Sequence, residues 1–132
     1  MDLSMLHWPA VVVAALAGFP LGFVWYGPLF GHTWMEASGV TMARARAANP
    51  AKIYPIVLVL NLIIATGLAI LIGQRDIRIG VHTGFFCSIA FAATAFGINY
   101  LFEFRPLRLW LINSAYMVLL FSVMGAILGG WH

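Results

Sequence analysis

The chain has 132 residues, of which 63% are hydrophobic and 8% charged, with a formal net charge of +3. So little ionic surface excludes an ordinary water-soluble domain, which needs a polar exterior. The seven lysines and arginines are dispersed over three connections, which excludes a nucleic-acid patch that tracks phosphates, and a single cysteine, Cys87, excludes an internal disulfide.

Four apolar runs dominate, over residues 6–26, 54–72, 80–101 and 107–130, and the only Asp, Glu, Lys or Arg within them is Arg108, at the mouth of the fourth. Each meets the length of about 20 residues that a helix needs to cross a hydrocarbon layer. Mean hydropathy is +0.97. Residues 11–17 and 56–60 are uninterrupted apolar sequence rather than alternating, so barrel strands are excluded in favour of helices. The expected fold is an all-α membrane protein: one domain over 1–132, four antiparallel transmembrane helices, and a short surface helix in the first loop.

In the first run, Ala15-Leu16-Ala17 fits a cleavage pattern, but Asp2 precedes it without any Lys or Arg, and apolar sequence continues past Pro20 to Trp25. A retained helix is expected, bent where Pro20 removes a backbone donor. Helices in lipid associate through small residues that let backbones approach closely. Val11, Ala15, Gly18, Gly22 and Trp25 form such a stripe. The loop of residues 31–50 follows, with a helix expected over 40–48, capped by Thr41 and ended at Asn49-Pro50, and with Trp34 and Met35 at headgroup level. The second run offers only Asn61, Ala65 and Thr66 for close contact, so it is expected to face lipid over more of its circumference than the other three. Residues 73–76 form a tight turn. Thr83, Cys87, Ala90, Thr94 and Gly97 mark the packed face of the third run, and Ala115, Val118, Ser122, Gly125 and Gly129 that of the fourth. Gly125 and Gly129 suit contact within one chain or across a dimer.

Arg44, Arg46, Lys52, Arg105 and Arg108 fall on the face of the long first loop, against Arg75 and Arg78 on the other. That bias predicts a cytoplasmic long loop and external termini in the cell's inner membrane. The intramembrane polar residues gather toward the long-loop face: Trp25, Tyr26, Asn61, Asn99, Tyr100, Asn113 and Tyr116. An amide in hydrocarbon needs a partner, so Asn61, Asn99 and Asn113 are expected to bond one another or backbone carbonyls. They serve either as interhelical clasps or as a pocket for a small ligand or lipid headgroup.

His7, His82 and His132 are the candidate metal ligands on the opposite face, but they lie on different elements without ligand spacing, so no metal and no cofactor is expected. Asp2, Glu36, Asp76 and Glu103 are all peripheral, which leaves no embedded carboxylate for proton or sodium coupling. Neither a helical HExxH, a GxSxG elbow nor a phosphate loop occurs. Ser88, Ser114 and Ser122 lack a His or Lys at matching depth, and no enzyme is expected.

Trp8-Pro9-Ala10-Val11-Val12, Trp25-Tyr26-Gly27-Pro28-Leu29-Phe30-Gly31 with Trp34-Met35, Asn99-Tyr100-Leu101-Phe102-Glu103, Arg105-Pro106-Leu107 and Ile112-Asn113 with Tyr116 span nearly the whole chain. In these the sequence resembles a bacterial integral membrane family catalogued as domain of unknown function 1761. The resemblance implies a small four-helix membrane protein and brings no activity with it. The expected role is a non-enzymatic accessory or scaffold subunit, or a homo-oligomer held by small-residue packing. The alternative is a transporter or binder of a small solute or lipid headgroup at the Asn/Tyr cluster. Expected partners are the bilayer and a second copy or another membrane protein, not nucleic acid.

Overall fold

Lipid offers no partner to an exposed N–H or C=O, so apolar runs close their backbone hydrogen bonds within themselves as helices. The computed structural model describes residues 3–73 and 76–131, and among them every regular element is helical. After a 3₁₀ turn at Leu3–Met5, α1 (Trp8–Val24) passes through Pro20 and continues as a π-helical turn, Trp25–Leu29. Next come α2 (Gly31–Ser38), α3 (Met42–Ala47) and α4 (Pro50–Ile72). Helix α5 (Ile77–Cys87) runs through a second π-helical turn, Ser88–Ala93, into α6 (Thr94–Phe102), and α7 (Leu107–Gly130) completes the chain. Four segments are long and apolar enough to cross a membrane: Trp8–Leu29, Pro50–Ile72, Ile77–Phe102 and Leu107–Gly130. The protein is a multi-pass membrane protein.

Local chemistry sets the boundaries. Thr41 caps α3 as expected, accepting from the Arg44 N–H at 3.1 Å. That helix ends at Ala47, just ahead of Asn49-Pro50 as expected, and Asn49 has a further role in the next one. Its side chain accepts from the Ala51 N–H at 3.1 Å and opens α4, with Pro50 at the first helical position where a missing N–H costs nothing, so the second span starts earlier than residue 54. Helix α2 lies in the stretch read as loop and stops at Gly39, whose positive φ of 79° ends the helix. The turn expected at 73–76 includes Gln74 and Arg75, which lie outside the described residues.

The end of α6 is less ordinary. Arg105 N–H donates to the Tyr100 carbonyl at 2.9 Å and Phe104 N–H to that of Leu101 at 3.3 Å, the paired bonds of a Schellman cap. The left-handed position of this cap, normally glycine, holds Phe104 at φ 56°. Its side chain is 93% exposed and stands with exposed Leu101, Phe102 and Leu107. Such a group suits the membrane–water boundary, where aromatic side chains collect.

Helix α7 is the most buried span and packs against α1, α4 and α5. Its closest partner is α5. Gly80 lies against Gly125 and Gly129, and Gly84 against the Phe121 carbonyl, so the contacts pair in reverse order along the two helices. Two glycines four apart on each helix leave backbone facing backbone. This corrects the expected stripe on the third run. Gly80 and Gly84 carry the contact with Cys87 and Ser88 buried beyond them, whereas Thr94 is exposed and its hydroxyl donates to the Ala90 carbonyl at 2.8 Å. On the fourth run Gly125 and Gly129 are buried and Ala115 is exposed. The third span, not the second, is the least buried of the four. Its glycines concentrate contact on one narrow line, while Asn61, Ala65, Leu68, Ala69 and Ile72 bury a broader face of α4.

Asp76 caps α5, its carboxylate accepting from the Ile79 N–H at 2.9 Å, and that bond, helped by Arg78, lowers the carboxyl below its ordinary pKa. The cap therefore contributes fully above the ordinary carboxylate value of about 3.9 and is lost as pH falls through the lowered one. Asp76→Asn keeps an acceptor but does not titrate. Unfolding midpoints in detergent should separate wild type from Asp76→Asn at about pH 6 and converge toward about pH 2. A gap that is independent of pH would contradict this assignment.

Candidate functional site

Pro28 has no N–H, so the Val24 carbonyl loses its helical donor and the backbone ladder is interrupted there. The chain answers with the π turn, in which Phe30 N–H reaches back to the Trp25 carbonyl at 2.9 Å. Gly31 sits against the Tyr26 carbonyl where any Cβ would collide, and α2 begins there. The turn thus lays α2 across the end of the bundle, with Trp34 edge-on to Tyr26 at 5.7 Å. Arg108–Glu36 at 3.8 Å, and Arg105 donating to the Ser38 carbonyl at 3.1 Å, tie α2 to the connection before α7.

Beneath this cover runs a chain of polar side chains. Tyr26 donates its hydroxyl proton to Asn113 Oδ1 at 2.7 Å, and Asn113 Nδ2 donates to the Tyr100 hydroxyl at 2.8 Å. Trp25 Nε1 donates to the Ile112 carbonyl at 3.1 Å. Deeper, Tyr116 donates to the Gly18 carbonyl at 2.9 Å and Asn61 Nδ2 to that of Ala15 at 3.2 Å. The α1 and α6 glycines belong to this network. A Cβ on Gly18 would stand 2.5 Å from Asn61 Nδ2, one on Gly22 3.2 Å from the Tyr116 hydroxyl, and one on Gly97 3.2 Å from Trp110 Nε1. These positions seat polar side chains; they do not bring backbones together as Gly80 and Gly84 do.

Six of the seven expected polar residues, Trp25, Tyr26, Asn61, Tyr100, Asn113 and Tyr116, therefore make side-chain hydrogen bonds across helices. Asn99 does not. It is exposed, because Tyr100, one residue and about 100° further round the helix, takes the inward position. Nor do the three asparagines bond one another, since Asn61 meets α1 backbone instead. Trp110 was not expected here. Its indole donates to the Ala93 carbonyl at 2.8 Å, at the end of the second π turn. Gly80 and Gly84 were missed also, although their spacing of four was a visible signal.

Between α1 and α4 the network borders an open groove of about 890 Å³, with Phe19, Phe23, Tyr26, Tyr54, Val57 and Tyr116 among its walls. Phe19 and Tyr54 meet edge to face at 6.0 Å. Tyr26 and Tyr116 have given their protons to internal acceptors, so they offer phenol lone pairs, while Tyr54 retains a donor. Among the described residues no charged side chain lines the groove.

On the opposite end, His7 Nδ1 lies 3.1 Å from the Trp131 carbonyl, and His82 is exposed. His132 lies outside the described residues. Among the described residues no three of His, Cys, Asp and Glu come together as a metal site. The Ser88 hydroxyl is engaged with the Phe85 carbonyl at 2.7 Å.

Compared with known proteins, residues 9–129 match the model of a family described as protein of unknown function (DUF1761). No curated protein and no solved structure matches the chain.

Proposed function

The chain belongs to the family described as protein of unknown function DUF1761, and from that premise we propose that it is a non-catalytic membrane protein that binds, and carries or presents, a neutral or cationic amphiphile. One observation carries this reading: the groove between α1 and α4, which joins aromatic walls to phenol oxygens and lies in a membrane-spanning segment. Phenol lone pairs suit a headgroup that donates hydrogen bonds, and aromatic faces suit an ammonium. Apolar walls suit an acyl or other hydrocarbon tail. The clasps do not compete with this role; they hold the groove's Tyr26 and Tyr116 in place.

Val57→Trp fills the groove from α4 without touching a hydrogen bond. Native mass spectrometry of protein purified in mild detergent should show a co-purifying amphiphile on wild type and loss of most of it on Val57→Trp, with thermal unfolding unchanged. Identical adducts on both proteins would sink the proposal.

A second reading, an accessory subunit or homo-oligomer, draws support from one place. Asn99 presents its amide on the least buried span, and an amide facing hydrocarbon gains from an amide on another chain. The stripe glycines Gly18, Gly22, Gly97, Gly125 and Gly129 lend it nothing, since each lies against residues of the same chain. A strictly monomeric mass in the same spectra would remove this reading.

A further inference from the structure

Charge is unevenly compensated among the connections. Among the described residues Arg78 pairs with Asp76 at 3.7 Å, Arg105 with Glu103 at 3.4 Å and Arg108 with Glu36 at 3.8 Å. Arg44, Arg46 and Lys52 have no such partner, and the described carboxylates are all engaged elsewhere. These three cations sit together on α3 and the first turn of α4. Beside them lies a second cleft, of about 590 Å³, walled by Trp34, Val40, Ala45, Ala48 and Ile53, with Arg44 the one charged residue in its lining among the described residues. Since Trp8–Leu29 ends a span and Pro50–Ile72 begins one, the connecting α2–α3 segment lies where headgroups meet water.

We propose that this cleft is a binding site for the phosphate of an anionic phospholipid, with Arg44 pairing with the phosphate and Trp34 and Ile53 contacting the first carbons of the tails. A guanidinium matches phosphate geometry and holds it through parallel hydrogen bonds. An indole is at home at headgroup depth. Arg46 and Lys52 are outside the cleft lining and act through the general attraction of a basic patch for an anionic leaflet. This site is distinct from the α1–α4 groove, which among the described residues has no lining cation and for which a neutral or cationic headgroup is proposed.

The test titrates the full chain carrying Val57→Trp, which closes the α1–α4 groove to the choline ammonium, in mild detergent with phosphatidylglycerol, phosphatidylcholine and inorganic phosphate, reading the first bound adduct by native mass spectrometry. Phosphatidylglycerol should bind ahead of phosphatidylcholine, and millimolar phosphate should not displace it. Arg44→Gln should weaken it by at least about tenfold, whereas Arg46→Gln and Lys52→Gln, acting only as surface charges, should each cost no more than about fivefold. Ala45→Trp keeps every charge but fills the cleft at an exposed helix position, and should weaken binding as Arg44→Gln does. Equal binding of the two lipids overturns the proposal. Equal effects of the three cation variants would mean diffuse charge without a site. Displacement by inorganic phosphate would make the ligand a free anion and not a lipid.

Discussion

Gly84→Leu is expected to leave little folded protein. A Cβ at position 84 meets the Phe121 carbonyl and the backbone of Ser122, neither of which can rotate aside. Helices α5 and α7 form the most extensive pairing in the molecule, and α7 in turn packs against α1 and α4. Forcing α5 away from α7 therefore loosens the whole bundle. Overpacking costs typically about 1–3 kcal/mol where side chains can adjust, and Gly84→Ala, whose Cβ already meets backbone, should cost at least the upper part of that range. Leucine at a backbone contact should exceed it. Gly67→Leu is the control, since a Cβ there meets nothing within 4 Å and the position faces outward on α4. Size-exclusion profiles and denaturant unfolding in detergent should show Gly84→Leu aggregated or unfolded and Gly67→Leu close to wild type. Equal behaviour of the two would refute the assignment of backbone contact between α5 and α7.

Asn113→Ala should have a large effect as well, because one amide joins three helical segments. It accepts from Tyr26 on the π turn and donates to Tyr100 on α6 while itself standing on α7. Interhelical hydrogen bonds in lipid average about 0.6 kcal/mol and reach about 1.7, so losing two should cost about 1–3 kcal/mol. Tyr26→Phe removes only the first of them. A double-mutant cycle on Tyr26→Phe and Asn113→Ala should show a coupling of about 0.5 kcal/mol or more. The groove should suffer as well, since Tyr26 forms part of its wall. Strictly additive losses, or an Asn113→Ala protein as stable as wild type, would mean that the chain of hydroxyls does not hold the helices together. Asn99→Ala is the matched control: the same residue type at an exposed position should change stability little in the monomer.

The helices were readable because their signals are local. Apolar runs of about 20 residues, with Arg108 at one mouth as their lone charge, need no tertiary information to be recognised as spans. The Thr41 cap follows from a hydroxyl beside a run of alanines and arginines, and the helix is found there. Where reading ran short, the missing quantity was helix rotation. Asn99 and Tyr100 are adjacent, both polar, and equally plausible as the inward residue. So are Thr83 and Gly84, of which the glycine is the buried one, against the Phe121 carbonyl. The two kinds of glycine were equally hidden. Gly18 and Gly84 look alike in a sequence, yet one seats an amide and the other a carbonyl.

A soluble helix declares its inner face because water and core differ. In a bilayer the lipid-facing side is as apolar as the packed side, and that contrast vanishes. Sequence by itself determined the solvent, the helical class, the number of spans, and the placement of charge at the water boundaries. Tertiary structure alone decided which faces meet, which polar groups pair, and where a groove and a cation-bearing cleft are left open. Those outcomes rest on backbone approach and side-chain geometry between segments distant in the chain, and hydropathy carries no record of either.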